Sequence, residues 1–178
     1  AMSQEGSIRY EPDDADSFDV LCQFKHDRIQ QAAYALIADD HKDRVHLGIG
    51  RLLLKSAEVK NHSGLLMDTV RHLNYAKHLI EDPAERIELA ALNLAAGEKA
   101  KASTAYRPAF EHLKIGTSLL NSDSWDSNYE LAFSMAREFL ECSYLCGDFE
   151  AAETQYETLL RRARTNLDKA RIFQMRLR

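Results

Sequence analysis

The stretch GDFEAAETQY, residues 147–156, decides the fold. Phe149, Ala152 and Tyr156 are spaced three and four residues apart, which places them on one face of a helix. Gly147 and Asp148 come directly before them and are typical of one helix ending and the next being capped. The same order of an aromatic residue, an alanine and a large apolar residue occurs in TAYRPAFEHL, residues 104–113, an offset of 43 residues. The two copies predict repeated helical hairpins, because a small residue lets the second helix of a hairpin approach the first closely.

This order of residues resembles the second half of the tetratricopeptide repeat, which reads Gly-Asp-aromatic-x-x-Ala-x-x-x-aromatic. The later copy matches the pattern well. In the earlier copy Thr104 and Ala105 replace the Gly-Asp pair, and Gly97 lies where the first helix of such a repeat usually has its glycine. The resemblance implies an all-α, tetratricopeptide-like superhelix of antiparallel helical hairpins. An irregular helical bundle is the alternative.

The rest of the chain divides into a short N-terminal segment and a long helical one. Alternating apolar residues at 18–24, after a short run at 8–10, predict a small β-hairpin. From residue 27 onward apolar residues recur with the helical period and predict eight helices, of which the sixth runs from about residue 124 to 146. Asp82-Pro83-Ala84-Glu85 is the clearest helix start, with a cap, a proline at the first position and a capping-box acid. We therefore expect a β-hairpin domain at residues 1–26 and a helical repeat domain at residues 27–178.

Two strings, FKHDRIQQAAYALI at residues 24–37 and HLGIGRLLL at residues 46–54, are similar to a region of large bacterial multidomain signalling kinases. In that family the region follows an ATPase and a winged-helix segment, and the whole protein combines a serine/threonine-kinase-like domain, a signal-transduction ATPase and a sensor histidine kinase. The resemblance extends over residues 18–172. It implies that the N-terminal hairpin is the remnant of the winged-helix segment and that the parent protein is an ATP-dependent signalling kinase. His72 departs from the pattern, which has an amide beside Leu73 and Asn74.

Composition excludes several classes of protein. Three cysteines, an odd and low count, indicate a reducing compartment, and the first residues show no signal peptide. No apolar run approaches the roughly 20 residues that span a bilayer, so we expect a cytoplasmic chain with no membrane insertion. The net charge of −5 gives no general attraction to nucleic acid. The basic residues at 160–178 are interpreted as a solvated helix face; a phosphate- or nucleic-acid-binding patch is the less favoured alternative, because no aromatic residues interleave with them.

No stretch of the sequence predicts catalysis. There is no Gly-rich phosphate-binding loop, and His26-Asp27-Arg28 does not have the His-Arg-Asp order of a kinase catalytic loop. Cys142 and Cys146, with His112 on a neighbouring helix, are too few for a zinc site and are interpreted as buried apolar residues. We therefore expect no catalytic, cofactor-binding or metal-binding residues, no cofactor, and no enzyme activity in this chain.

The sequence favours a non-catalytic protein-interaction and relay scaffold, whose partners are neighbouring domains of the parent protein or a protein or peptide. Helical periodicity predicts that one face of the sixth helix meets its hairpin partner, at Leu131, Met135, Phe139 and Cys142. Another face, together with the fourth helix, is the candidate interaction groove: Leu94, Glu98, Lys101, Ser134, Arg137, Glu141 and Tyr144. Charges at Arg137 and Glu141 are expected to be exposed and dispensable for folding. A ligand-sensing regulatory helical domain and a nucleic-acid-binding fragment are the alternative functions.

Overall fold

A computed structural model of the chain describes residues 27–55 and 63–176, and in these ranges it contains helices and connecting turns only. The α-helices are α1 (Asp27–Ala35), α2 (Asp39–Leu54), α3 (Ser63–Tyr75), α4 (Pro83–Ala102), α5 (Tyr106–Leu119), α6 (Ser124–Ser127), α7 (Tyr129–Leu145), α8 (Phe149–Arg162) and α9 (Asn166–Arg176). A 3₁₀ turn, Lys77–Leu79, follows α3. The prediction of an all-α fold is confirmed for the described residues.

The chain divides into two units, Ala1–Lys42 and Asp43–Arg178. In the first unit the structure describes α1 and the beginning of α2, where the ammonium of Lys42 lies 5.2 Å from the centre of the Tyr34 ring. The second unit contains the remainder of α2 and all later helices. The predicted β-hairpin lies outside the described residues, and the predicted domain boundary after residue 26 stays a prediction.

Eight of the nine helices correspond to the eight predicted ones, and α6 is an addition. The sequence predicted one helix from about residue 124 to 146, whereas the backbone breaks at Asn128, which adopts φ −136° and ψ 47°. The side chain of Asn121 stabilises the start of α6. Its Oδ1 atom accepts hydrogen bonds from the backbone N–H of Ser124 at 2.9 Å and from the Ser124 hydroxyl at 2.8 Å. The chain then leaves the helical conformation at Asn128 before α7 begins.

The predicted helix start at residues 82–85 is present, with one change of partner. The Asp82 carboxylate accepts from the backbone N–H groups of Ala84 and Glu85, both at 3.3 Å, and Pro83 occupies the first helical position. The Glu85 carboxylate pairs with the guanidinium of Arg51 through two hydrogen bonds of 2.7 Å. Glu85 therefore ties the start of α4 to α2, whereas a capping box would use it within α4.

Two helical hairpins form most of the second unit. The pair α4 and α5 and the pair α7 and α8 are each joined by three residues, so the helices of each pair run antiparallel. A larger core lies among α2, α3, α4, α5 and one side of α7, and its central residues include Leu73, Leu89 and Leu113. A smaller core lies between the opposite side of α7, α8 and α9, with Leu140 and Leu159 fully buried. Helix α7 is therefore shared between the two cores.

The structure keeps the two sequence copies in register. Tyr106 and Phe149, 43 residues apart, are the first residues of α5 and α8. Ala109 and Ala152, three residues into each helix, have no solvent exposure. The joints also correspond, because Thr104 and Gly147, again 43 residues apart, both adopt a left-handed backbone with φ 60° and 75°. A threonine there is strained where a glycine is not.

The prediction of which face of α7 meets its hairpin partner is wrong. Met135, Phe139 and Cys142 were expected to meet the hairpin partner α8, but they belong to the larger core with α4 and α5, where the Phe139 ring lies 5.1 Å from that of Phe110. The residues of α7 that pack on α8 are Phe133, Ala136 and Leu140. Since α7 is apolar on both of these sides, its periodicity does not tell which side meets which neighbour.

We predict that Ala152→Leu destabilises the smaller core by about 1–3 kcal/mol. Ala152 is fully buried in the smaller core between α7 and α8, so a longer side chain has to displace buried neighbours. Ala91→Leu is the matched control, because Ala91 is exposed on α4 and its replacement should change stability little. Urea unfolding of both variants measures the difference, and equal midpoints would show that Ala152 is not at a close crossing.

A pair of histidines joins α2 to α3 within the second unit. The Nδ1 atoms of His46 and His72 lie 2.8 Å apart, so one ring donates a hydrogen bond and the other accepts it. The ring of Tyr75 stacks on His46, with centres 4.1 Å apart. Burial lowers the pKa of both histidines below the ordinary value, and the nearby charge of Arg71 lowers it further. The surroundings of the pair therefore favour the neutral form of both imidazole rings.

We predict that stability falls as the pH drops below about 6.5, the ordinary histidine pKa. A lowered pKa in the folded state means that the unfolded chain binds more protons between the two pKa values, so acid favours unfolding. His72→Gln removes one titrating ring and should flatten the fall in melting temperature between pH 7 and pH 5. Parallel pH profiles for the wild type and the variant would contradict this account of the pair.

Candidate interaction groove

A cluster of charged side chains connects the end of α4 to the middle of α7. The ammonium of Lys101 donates hydrogen bonds to the carboxylates of Glu138 and Glu141, the second at 2.7 Å. Arg137 donates to the other oxygen of Glu138 at 3.0 Å. Glu138 is buried, and such a carboxylate requires partners of opposite charge because desolvation is costly. Lys101 and Arg137 together provide them.

The pKa values in this cluster follow from its burial and charge. Burial alone would lower the pKa of Lys101, but its hydrogen bonds to Glu138 and Glu141 outweigh that effect and raise it. Lys101 is therefore a fixed cation. Partial burial and then the charge of Glu138 raise the pKa of Glu98, which lies one helical turn before Lys101 on α4. The cluster and Glu98 together contain more carboxylates than the one lysine and one arginine neutralise.

A groove with a volume of about 780 Å³ opens beside this cluster, between α7 and α9. Its wall from α7 is charged at one end and apolar at the other, where Tyr144 and the 47% exposed Leu145 lie. The remaining lining comes from α8 and α9: Glu153, Arg171, Gln174 and Met175. Both signs of charge and an apolar area face the solvent here, which is typical of a surface that contacts another protein segment.

The structure brings most of the predicted groove residues together, although their role stays a prediction. Arg137, Glu141 and Tyr144 line the groove. Lys101 reaches it through its contact with Glu141, and Glu98 lies next to this charged cluster. Two residues are placed elsewhere: Leu94 packs against the larger core, and Ser134 is half-buried outside the groove lining.

Sequence reasoning missed two kinds of groove residue. Glu138 was overlooked because a glutamate at an apolar position of a helical pattern is ordinarily read as exposed. Glu153, Arg171 and Met175 were overlooked because they reach the groove only through the packing of α8 and α9 against α7. A signal was present for the first kind, since the hairpin repeat places α4, with the predicted groove residue Lys101, beside α7.

The expectation that Arg137 and Glu141 are dispensable for folding needs correction. The side chain of Arg137 is 34% exposed and that of Glu141 is 38% exposed, and each is paired within the cluster around Glu138. Reversing both charges would place a carboxylate beside Glu138 and a cation beside Lys101. Variants that test the groove should therefore leave this cluster intact.

The described part of the chain contains side chains of metal-binding and reactive types. No set of three or more His, Cys, Asp or Glu residues there could hold a metal ion. Burial raises the pKa of the Cys142 thiol to about 11, so this thiol stays protonated and is a poor nucleophile. His112 is partly buried with an Nδ1 atom that makes no hydrogen bond within the described residues, and burial lowers its pKa.

The geometry is that of a helical surface with a mixed groove, and one comparison adds a context for it. The chain is similar to part of a signalling kinase. It is 30% identical, over 165 aligned positions, to hybrid signal transduction histidine kinase G of Dictyostelium discoideum. The alignment covers 79% of this chain and 5% of that relative, so the chain spans about one twentieth of its length. No family model and no solved structure matches the chain.

Among the helices in residues 27–55 and 63–176, none combines the length and the apolar composition needed to cross a membrane.

Proposed function

We propose that the chain is a non-catalytic interaction and relay scaffold within a multidomain signal-transduction kinase, and that it acts through the groove between α7 and α9. The similarity to a short segment of a histidine kinase supports the signalling context. The matched relative is far longer than this chain, and the neighbouring domains of a similarly large parent protein are the proposed partners, alongside a separate protein or peptide.

We further propose that the hairpins are units of a tetratricopeptide-like superhelix. The support is the register of the two copies: α5 and α8 begin 43 residues apart, and each buries an alanine at its fourth residue. Stacked hairpins of this kind expose the first helix of each unit to a common surface. Lys101 of α4 contacts Glu138 and Glu141 of α7, the first helices of the two units.

The observation that carries the proposal is the composition of the groove. Arg137 and Arg171 provide positive charge, and Glu141 and Glu153 provide negative charge. Leu145 adds exposed apolar area at its edge. A short amphipathic segment with charges of both signs matches this arrangement better than a small hydrophobic ligand does.

Site-specific crosslinking in the complete protein that contains this chain tests the proposal. A photoreactive amino acid replaces Leu145, and as a control it replaces Leu52, which is 68% exposed in the last turn of α2. We expect position 145 to form a crosslink to another domain or to a second protein, identified by mass spectrometry. Equal or absent crosslinking at the two positions would contradict a partner in the groove.

A further inference from the structure

We propose that a second cavity, formed by α5, α6, α7 and α8, binds a small organic phosphate. Its volume is about 560 Å³, within the range of about 300–1,000 Å³ that small-molecule sites occupy. It shares no lining residue with the groove between α7 and α9. The site is therefore independent of the interaction function proposed above.

The cavity exists because the side chains of α7 are small where α8 and the end of α5 flank it. Ala132 and Ala136, one helical turn apart and both buried, form its floor. Trp125 of α6, which is half-buried, forms one wall. Small residues below and an aromatic ring at the side leave room for a flat organic group next to the indole.

Two arginines give the cavity its charge. Arg161 and Arg162, in the last turn of α8, are the charged residues of its lining among the residues that the structure describes. The chain as a whole has a net charge of −5, whereas the lining of this cavity has an excess of two positive charges. No carboxylate lines the described cavity to neutralise them.

The contacts of these arginines are weak. Arg161 Nη2 lies 3.5 Å from the Thr158 hydroxyl, and the Arg162 guanidinium lies 5.9 Å from the centre of the Trp125 ring. Arg164, two residues further along, differs, because it donates to Asp126 at 3.0 Å and to the carbonyl of Trp125 at 2.6 Å. Within the described residues, Arg161 and Arg162 therefore keep their guanidinium donors for an anion.

A phosphate group matches this arrangement. Each guanidinium presents donors in a planar fork that pairs with phosphate oxygens, and two neighbouring forks suit a group with three or more oxygens better than a single carboxylate. The amides of Gln155 and Asn121 line the same cavity and add neutral hydrogen-bonding groups. With the phosphate on the arginines, the organic part of the ligand would lie over Ala132 and Ala136, against Trp125.

The sequence alone favoured a solvated face for the basic residues at 160–178, because no aromatic residues are interleaved with them. The structure supplies an aromatic residue from elsewhere, since Trp125 precedes Arg161 by 36 positions. The half-enclosed shape fits one small molecule better than a nucleic-acid strand, which needs an extended basic surface.

The test uses the single tryptophan of the chain as its reporter. The protein is titrated with ADP and, separately, with inorganic pyrophosphate, while tryptophan fluorescence and the melting temperature are recorded. We expect saturable binding of ADP, with a change in fluorescence and a rise in melting temperature. The double variant Arg161→Gln/Arg162→Gln should bind ADP at least tenfold more weakly while keeping the melting temperature of the free protein, because both side chains are exposed.

The control variant is Arg71→Gln/Arg107→Gln, which removes the same charge at two arginines paired with carboxylates of their own helices. It should bind ADP as the wild type does. An equal loss in both double variants would reveal unspecific attraction and overturn the proposal. No saturable ADP binding, or pyrophosphate binding as tight as that of ADP, would also overturn it, because the second result gives the organic part no role.

Discussion

The substitution Gly97→Leu is expected to destabilise the protein by about 3 kcal/mol. Gly97 is buried in the C-terminal half of α4, where α5 approaches it closely. A Cβ atom at this position would lie 2.7 Å from Cγ and 2.8 Å from Cδ2 of Leu113, which is itself fully buried. Leu113 has no solvent to move into, so α4 and α5 would have to separate.

Gly48→Leu is the matched control for this substitution. Gly48 is also inside a helix, but a Cβ atom there would meet nothing within 4 Å. Because glycine is a poor helix former, replacing it should leave stability unchanged or raise it by up to about 1 kcal/mol. Denaturant unfolding measures both variants, and similar midpoints would contradict a close crossing of α4 and α5.

Lys101→Met is expected to lower the free energy of unfolding by about 2 kcal/mol. The methionine keeps most of the aliphatic stem but removes the ammonium that donates to Glu138 and Glu141. Arg137 still pairs with Glu138, so the buried carboxylate keeps one of its two cationic partners. The loss is therefore smaller than for a carboxylate left without any cation.

The control for the lysine is Lys114→Met. Lys114 is exposed on α5, and its ammonium lies 5.9 Å from the centre of the Phe110 ring. Its removal should change stability by less than about 1 kcal/mol. Thermal unfolding distinguishes the two variants, and the Lys101 variant should regain stability when Glu138→Gln is added. A double variant less stable than Lys101→Met alone would argue against the buried carboxylate as the cause.

Local signals in the sequence predicted much of the fold. The cap at Asp82, the Gly147-Asp148 joint and the buried alanines at 109 and 152 all lie where short-range patterns placed them. Each of these features depends on residues within one helix or one joint. Backbone geometry and spacing alone are therefore enough to specify them.

Features that depend on several helices at once were less predictable. Nine of the residues in α7 are buried, and six of them are divided equally between two different cores, so the sequence did not show which side meets α8. For the same reason, only the α7 side of the groove could be predicted. Its residues on α9 come from a contact between helices that no local pattern encodes.

The charged residues show the same limit. Glu138 and Arg162 are both ordinary surface residues by type, yet the first is buried between helices and the second lines a cavity. What distinguishes them is the set of neighbours that the fold brings: Lys101 for Glu138, and Trp125 for Arg162. The chemistry of both sites depends on helix packing rather than on sequence spacing.

Signal output of the complete protein tests the central claim, a relay through the groove, most directly. Leu145→Lys places a charge at the apolar edge of the groove, and Leu52→Lys makes the same change at an exposed leucine in the last turn of α2. Both variants should fold, because each leucine is already exposed and a lysine is favourable at a helix C-terminus. We predict that phosphate incorporation into the complete protein changes severalfold for Leu145→Lys and stays at the wild-type level for Leu52→Lys. Wild-type output from Leu145→Lys, or an equal change in both variants, would contradict the account.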